Sequence, residues 1–213
     1  MFDRKISALA PTIESVRKKA QILVIDDQEW PYQSMLENDG YHIERWPDIK
    51  SLSQLTDGYF TLILLDINGV GLRENPQQQG IGILEHIKRT NPAQRVIVYS
   101  AKRQLVSATP TLRKADAIFD KGEAYTDFKS VIDEFLVSGA TIGYFIAAIN
   151  QELGEDAASA PKFVPKAVRA LSTGRVDGLA KYLQQSLSDR RKIETILFVV
   201  TTGVRILQDL HAI

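Results

Sequence analysis

Three short runs of β-forming residues, Ile22–Ile25, Leu62–Leu65 and Val96–Tyr99, are unbroken by charge and end in groups that carry charge or a hydroxyl. A strand with one solvated face alternates apolar and polar residues. A run without that alternation needs cover on both faces, as in parallel sheets flanked by helices. A shorter run, Ala117–Phe119, and a weaker one, Tyr41–Ile43, bring the expected strands to five. Amphipathic stretches lie between them. Ile81 to Arg89 carries Ile83, Leu84 and Ile87 on one face, and beyond Lys121 the residues Phe128, Val131, Ile132, Phe135 and Leu136 recur at helical spacing, with Thr126 as a candidate cap. This alternation predicts an α/β protein with a doubly wound sheet. Ligands of such sheets sit beyond the carboxyl ends of the strands, where the strand order switches.

The ends of the runs therefore define the candidate site. The first is followed by Asp26-Asp27, the next by Asp66, the third by Ser100 and the last by Asp120-Lys121. Parallel strands bring all of these to one crevice. Three crowded carboxylates raise one another's pKa values unless a cation neutralises them. A hard divalent ion with oxygen ligands, Mg²⁺ above all, suits that task and tends to work with phosphate groups. A lysine and a hydroxyl add an ammonium and a hydrogen-bond donor for a tetrahedral anion. The set suits a phosphoryl group carried on a carboxylate, with catalysis by positioning and charge neutralisation.

Composition narrows the classes. Apolar residues make up 44% of the 213, enough for a buried core, and there is no cysteine for disulfides, thiolate metal sites or thiol catalysis. The formal net charge is zero, so no global field draws the chain to nucleic acid or membranes. No apolar run follows the first residues. The most apolar stretch, Ile196–Val204, falls short of the ~20 residues that span a bilayer. The expectation is a cytoplasmic protein with no membrane segment. The histidines, His42, His86 and His211, are scattered without metal-ligand spacing.

Ile-Leu-Val-Ile-Asp26-Asp27, Leu-Ile-Leu-Leu-Asp66, Val-Ile-Val-Tyr-Ser100-Ala101 and Phe-Asp-Lys121, in this order, resemble the receiver domains of two-component response regulators, from about Gln21 to Leu136. The resemblance implies a flavodoxin-like five-stranded parallel sheet of order 2-1-3-4-5. It implies that Asp66 takes a phosphoryl group from a histidine kinase or phosphotransfer protein. Asp27, Asp66 and the backbone carbonyl of Asn68 would ligate Mg²⁺ directly, and Asp26 would do so through water. Lys121 would pair with the phosphoryl oxygens and Ser100 would bond them. The chain would thus be a phosphoacceptor signalling protein rather than an enzyme. A hydrolase of related topology usually wants a second carboxylate where Asn68 stands. The chain departs from the family at Ile118, where an aromatic is common, and at Gly122, where proline is common. The loop between Asp66 and Gly80 is longer and more polar than usual.

After Leu136 the patterns are helical: Ile142–Leu153, about Lys166–Leu171, Val176–Leu187, and a long helix capped near Ser188. The expected division is an N-terminal helical segment (1–20) begun near Pro11 and Thr12, a receiver domain (21–136), and an all-α C-terminal module (137–213). Small residues and prolines mark Gly154 to Pro161, with Pro165, as the linker candidate. On the last helix Ile193, Ile196, Val200, Leu207 and Leu210 form an apolar face that its own domain or a partner must cover. The expected output is protein–protein contact, with a homodimer as one form. The alternative is a transcription regulator whose C-terminal helices bind DNA. Arg190-Arg191-Lys192 is a single basic run without interleaved aromatics, which reads as a solvated helix end, so nucleic acid is not the expected partner.

Overall fold

The computed structural model describes residues 12–100 and 109–211; Pro11 and Ala101 lie outside them. Five parallel strands form one sheet: β1 (Gln21–Ile25), β2 (His42–Trp46), β3 (Leu62–Asp66), β4 (Val96–Ser100) and β5 (Ala117–Asp120). Their order is β2-β1-β3-β4-β5, as the resemblance implies. The chain crosses from β2 over β1 to β3, so the switch in order lies between β1 and β3. β2 begins one residue later than Tyr41 and extends to Trp46, whose ring packs edge-on against Phe60.

The apolar runs split between two cores by the twofold period of a strand. Ile22, Val24, Leu62, Leu64, Ile97 and Tyr99 face one side. Leu23, Ile25, Ile63, Leu65, Val96 and Val98 face the other. The second side is covered by α3 (Gly80–Thr90) through Ile83, Leu84 and Ile87, by Leu112 of a 3₁₀ turn, and by Leu55 and Phe60, which precede β3 in a segment of turns. The first side is covered by Leu36 of α2 (Gln33–Asn38), Val16 of α1 (Ile13–Lys19), and Phe128, Ile132 and Leu136 of α4 (Tyr125–Gly139).

Thr12 caps α1, its hydroxyl accepting from the Ser15 amide at 3.3 Å. Thr126 does not cap α4. The cap position is Ala124, and Thr126 lies inside the first turn.

Four further helices follow: α5 (Ile142–Leu153), α6 (Phe163–Thr173), α7 (Asp177–Ser186) and α8 (Arg190–His211). The stretch read as a linker is a 3₁₀ turn, Gly154–Ser159, joining α5 to α6 within this bundle, with Ala160 and Phe163 buried. Pro165 sits in the first turn of α6, where backbone N–H groups have no intrahelical partner, so the ring costs nothing. Asp189, rather than Ser188, caps α8: its carboxylate accepts from the Lys192 amide at 3.2 Å. The apolar face of α8 is covered from within. Ile193, Ile196, Val200, Leu207 and Leu210 are all buried, and the helix packs on α1, α5, α6 and α7.

The core on the first side continues without a break past residue 136 into α5–α8. Polar contacts reinforce the junction. The Asn91 side-chain amide donates to the Thr56 carbonyl at 2.7 Å and to the Thr202 hydroxyl of α8 at 3.3 Å. The Tyr144 hydroxyl donates to the Ala93 carbonyl at 2.7 Å, and the buried Arg95 guanidinium lies 4.0 Å from the centre of the Tyr144 ring. No single helix among the described residues is long and apolar enough to cross a membrane.

A shared core predicts one cooperative transition. Both tryptophans of the chain, Trp30 and Trp46, lie in the α/β part, whereas far-ultraviolet dichroism is weighted toward the helices. The two signals are expected to melt together. Phe145→Ala, in α5, is expected to cost about 3–5 kcal/mol and to shift both signals equally. A tryptophan transition that stays in place would contradict a common core.

Candidate functional site

The acidic turn after β1 is anchored before it can act. The Asp26 amide donates to the Trp46 carbonyl at 3.1 Å, continuing the β1–β2 ladder for one more residue. Arg45 Nη2 donates to the backbone carbonyls of Asp26 (3.2 Å) and Gln28 (2.6 Å), holding the turn against β2. Asp26 is buried and Asp27 is exposed. Beside them β3 ends in Asp66, also buried. Oxygens of Asp26, Asp27 and Asp66 all lie within 4.8 Å of one another. β5 delivers Lys121, whose Nζ donates to Asp66 Oδ2 at 2.5 Å and Asp26 Oδ2 at 3.1 Å.

Two of the expected residues meet at a remove from this pairing. The Asn68 amide N–H donates to Asp66 Oδ1 at 3.1 Å, and its side-chain amide donates to the Ser100 hydroxyl at 3.3 Å. Asn68 thus ties Ser100 to the turn after Asp66. Six strand-end residues, Asp26, Asp27, Asp66, Asn68, Ser100 and Lys121, are therefore gathered in one neighbourhood.

The loop after Asp66 is folded tightly against the acids. Gly69 has φ +78°, and a Cβ there would fall 2.7 Å from the Asp27 carboxyl carbon. Only glycine supplies both that backbone and that clearance. The Gly69 amide donates to Gln79 Oε1 at 2.9 Å, and Gln79 itself is held at φ +50° just before α3. A Cβ on Gly80 would stand 2.3 Å from the Asp66 carbonyl oxygen, so α3 starts almost on the backbone of the buried acid. The long polar loop is thus closed by its own bonds.

Sequence reasoning passed over Tyr99. Its hydroxyl donates to Asp26 Oδ2 at 2.5 Å, and its ring lies 5.0 Å from Lys121 Nζ. As the last aromatic of a buried run it reads as core. The only sign was its place next to Ser100, one step from the strand end. The two departures from the family also have places. Ile118 packs into the second-side core, while Phe119 faces the first side and stacks edge-on with Phe128 at 5.1 Å. The Gly122 amide donates to Asp120 Oδ1 at 2.8 Å.

Burial pushes the Asp66 carboxyl above the usual carboxylate range, against the lowering pull of Lys121 and of the Asn68 amide. Burial alone would lower Lys121, yet its bonds to Asp66 and Asp26 carry it above the usual lysine range, so it stays charged. Burial first, and then the bond to Asp26, drive the Tyr99 phenol far above its ordinary value, so it remains a donor. One ammonium faces three carboxylates, which leaves negative charge over in a crevice of hard oxygen donors. That donor set fits a divalent cation of the magnesium type.

A raised native pKa means that the ionised Asp66 destabilises the folded chain. The cost is present above the native pKa and disappears as the pH falls below the ordinary 3.8. In metal-free buffer at neutral pH, Asp66→Asn is expected to melt higher than the parent, on the order of 2–4 °C. The gap is expected to close in acid. A lower melting point for the variant at neutral pH would contradict this electrostatic reading.

No protein-family model matches the chain, and no curated protein matches it. Solved structures do. A response regulator receiver domain protein from Methanospirillum hungatei is 26% identical, over 56% of this chain and 95% of its own, with a TM-score of 0.47. A response regulator protein from Thermotoga maritima, solved in complex with Mg²⁺-BeF, is 18% identical over 55% of this chain and 98% of its own, with a TM-score of 0.41. Full-length FixJ from B. japonicum is 18% identical over 92% of this chain and 99% of its own, with a TM-score of 0.46. The chain is similar to response-regulator receiver proteins, and its own sheet order is the one that the resemblance of its strand-end motifs implies.

Proposed function

We propose that the chain is a two-component response regulator in which Asp66 accepts a phosphoryl group from a histidine kinase or phosphotransfer protein. The observation that carries this reading is the Lys121 ammonium set between Asp66 and Asp26, with Asp27 in reach, where the strand order switches. In the transfer the Asp66 carboxylate attacks phosphorus, the donor's bond to phosphorus breaks, and the donor leaves with its electron pair. Lys121, already on Asp66, turns to the oxygens of the incoming group and offsets their charge. Ser100, one residue beyond the register partner of Asp66 on β4, supplies a hydroxyl to the same group. Asp27, Asp66 and the Asn68 carbonyl are the proposed direct ligands of Mg²⁺, with Asp26 acting through water. When bound, the ion would neutralise the crowded carboxylates and the phosphoryl oxygens.

The output is proposed to be protein contact made by the surface of the helical bundle. The apolar face of α8 is spent inside the chain, so a partner or second copy would meet the polar outer faces of the helices. The bundle shares one core with the sheet side that carries Tyr99 and the end of β3, which supports its sensing the state of the site.

With a small phosphodonor and Mg²⁺, intact-mass measurement is expected to show one added phosphoryl group, none without Mg²⁺, and none on Asp66→Asn. Equal labelling of that variant would sink the assignment. In metal titrations read by Trp30 fluorescence, Asp27→Ala is expected to lose more Mg²⁺ affinity than Asp26→Ala. Indistinguishable losses would remove the proposed difference between direct and water-mediated ligation.

A further inference from the structure

We infer that Tyr99 is a positioning residue of the acidic site, fixing the Asp26 carboxylate and reserving Lys121 for Asp66. The inference rests on the reading of the site as one for Mg²⁺ and a phosphoryl group. It starts from register: Tyr99 pairs with Asp66 on one side and Phe119 on the other, so in a parallel sheet its side chain shares their face. From there the phenol reaches the first acid of the β1 turn. Asp26 Oδ1 accepts from the Gln28 amide at 2.9 Å, and Oδ2 accepts from both the Tyr99 hydroxyl (2.5 Å) and Lys121 (3.1 Å). A buried carboxylate held by three donors has one orientation.

The second consequence falls on Lys121. Its ammonium stands closer to Asp66 (2.5 Å) than to Asp26 (3.1 Å) although both acids are buried. The phenol supplies Asp26 Oδ2 with a neutral donor and so leaves more of the ammonium to Asp66. Without it, that oxygen falls to Lys121, which tightens onto Asp26 and competes for the carboxylate with the water through which Asp26 would serve the cation. The ring is fixed from behind by Trp30, with centroids 6.4 Å apart, so the hydroxyl is aimed by packing. Partners that orient a metal-site carboxylate act through it without touching the ion.

Tyr99→Phe keeps the ring and removes only the hydroxyl. In Mg²⁺ titrations followed by calorimetry and Trp30 fluorescence, it is expected to weaken affinity about tenfold, the lower end for outer-shell partners. Its dichroism spectrum is expected to match the parent's. In an Asp26→Asn background the same substitution is expected to cost nothing more, because the group it acts through has lost its charge. Unchanged affinity in Tyr99→Phe, or an equal loss in both backgrounds, overturns the positioning role while the parent's Mg²⁺ binding leaves the functional reading standing. A parent protein that binds no Mg²⁺ overturns both.

Discussion

The pairing of one ammonium with two buried carboxylates, Lys121 with Asp66 and Asp26, is the constraint around which the rest of this structure is arranged. Buried charge is tolerated only when paired and hydrogen-bonded. Each partner therefore needs an element that delivers it to the same point. Strands β1, β3 and β5 do so by ending together, which parallel strands achieve only through crossover connections, here laid on both faces of the sheet. The two cores are thus as much a condition of the site as of stability. The Asp26 amide bonded to Trp46, the Arg45 guanidinium on the acidic turn, and the glycines at 69 and 80 are local solutions to the same packing problem.

Much of this was legible in the sequence because the relevant patterns are local. A run with no polar alternation has few interpretations, and three of them, joined by two weaker runs at this spacing, have fewer. Asp26, Asp27, Asp66, Ser100 and Lys121 stand at run ends, so a parallel sheet had to bring them to one edge. What could not be read depends on register or on tertiary cover. Tyr99 looks like any aromatic in a buried strand until β3 and β4 are aligned. The apolar stripe of α8 announces that it needs cover without saying by what, and the cover proved to be the chain's own helices. Small residues and prolines from Gly154 to Pro165 resemble a linker because tight connections inside a bundle use the same residues. Caps at Ala124 and Asp189 show the ordinary slippage of helix ends by a residue or two.

The helical bundle changes how a signal at the site would be read. Ile118 takes the place where related receivers often have an aromatic, and it sits in the core on the side away from the bundle. A cluster of aromatics lies on the other side, where Tyr99, Trp30, Phe119 and Phe128 adjoin one another. That side is continuous with α5–α8. A change in how Asp26 is held would therefore meet packed aromatic rings leading toward the bundle. Packed cores answer such changes by discrete repacking rather than smooth deformation.

The central claim is that Asp66 carries an acyl phosphate, and the chemistry of that bond tests it most directly. Hydroxylamine displaces phosphate from an acyl phosphate and leaves a hydroxamate on the residue that carried it, while phosphate esters of serine or tyrosine do not react. After treatment with a small phosphodonor and Mg²⁺, peptide mapping should place the hydroxamate at residue 66, with no phosphate remaining on the chain. Hydroxylamine-stable phosphate on Ser100 or Tyr99, or a hydroxamate at Asp26 or Asp27 instead, would contradict the account.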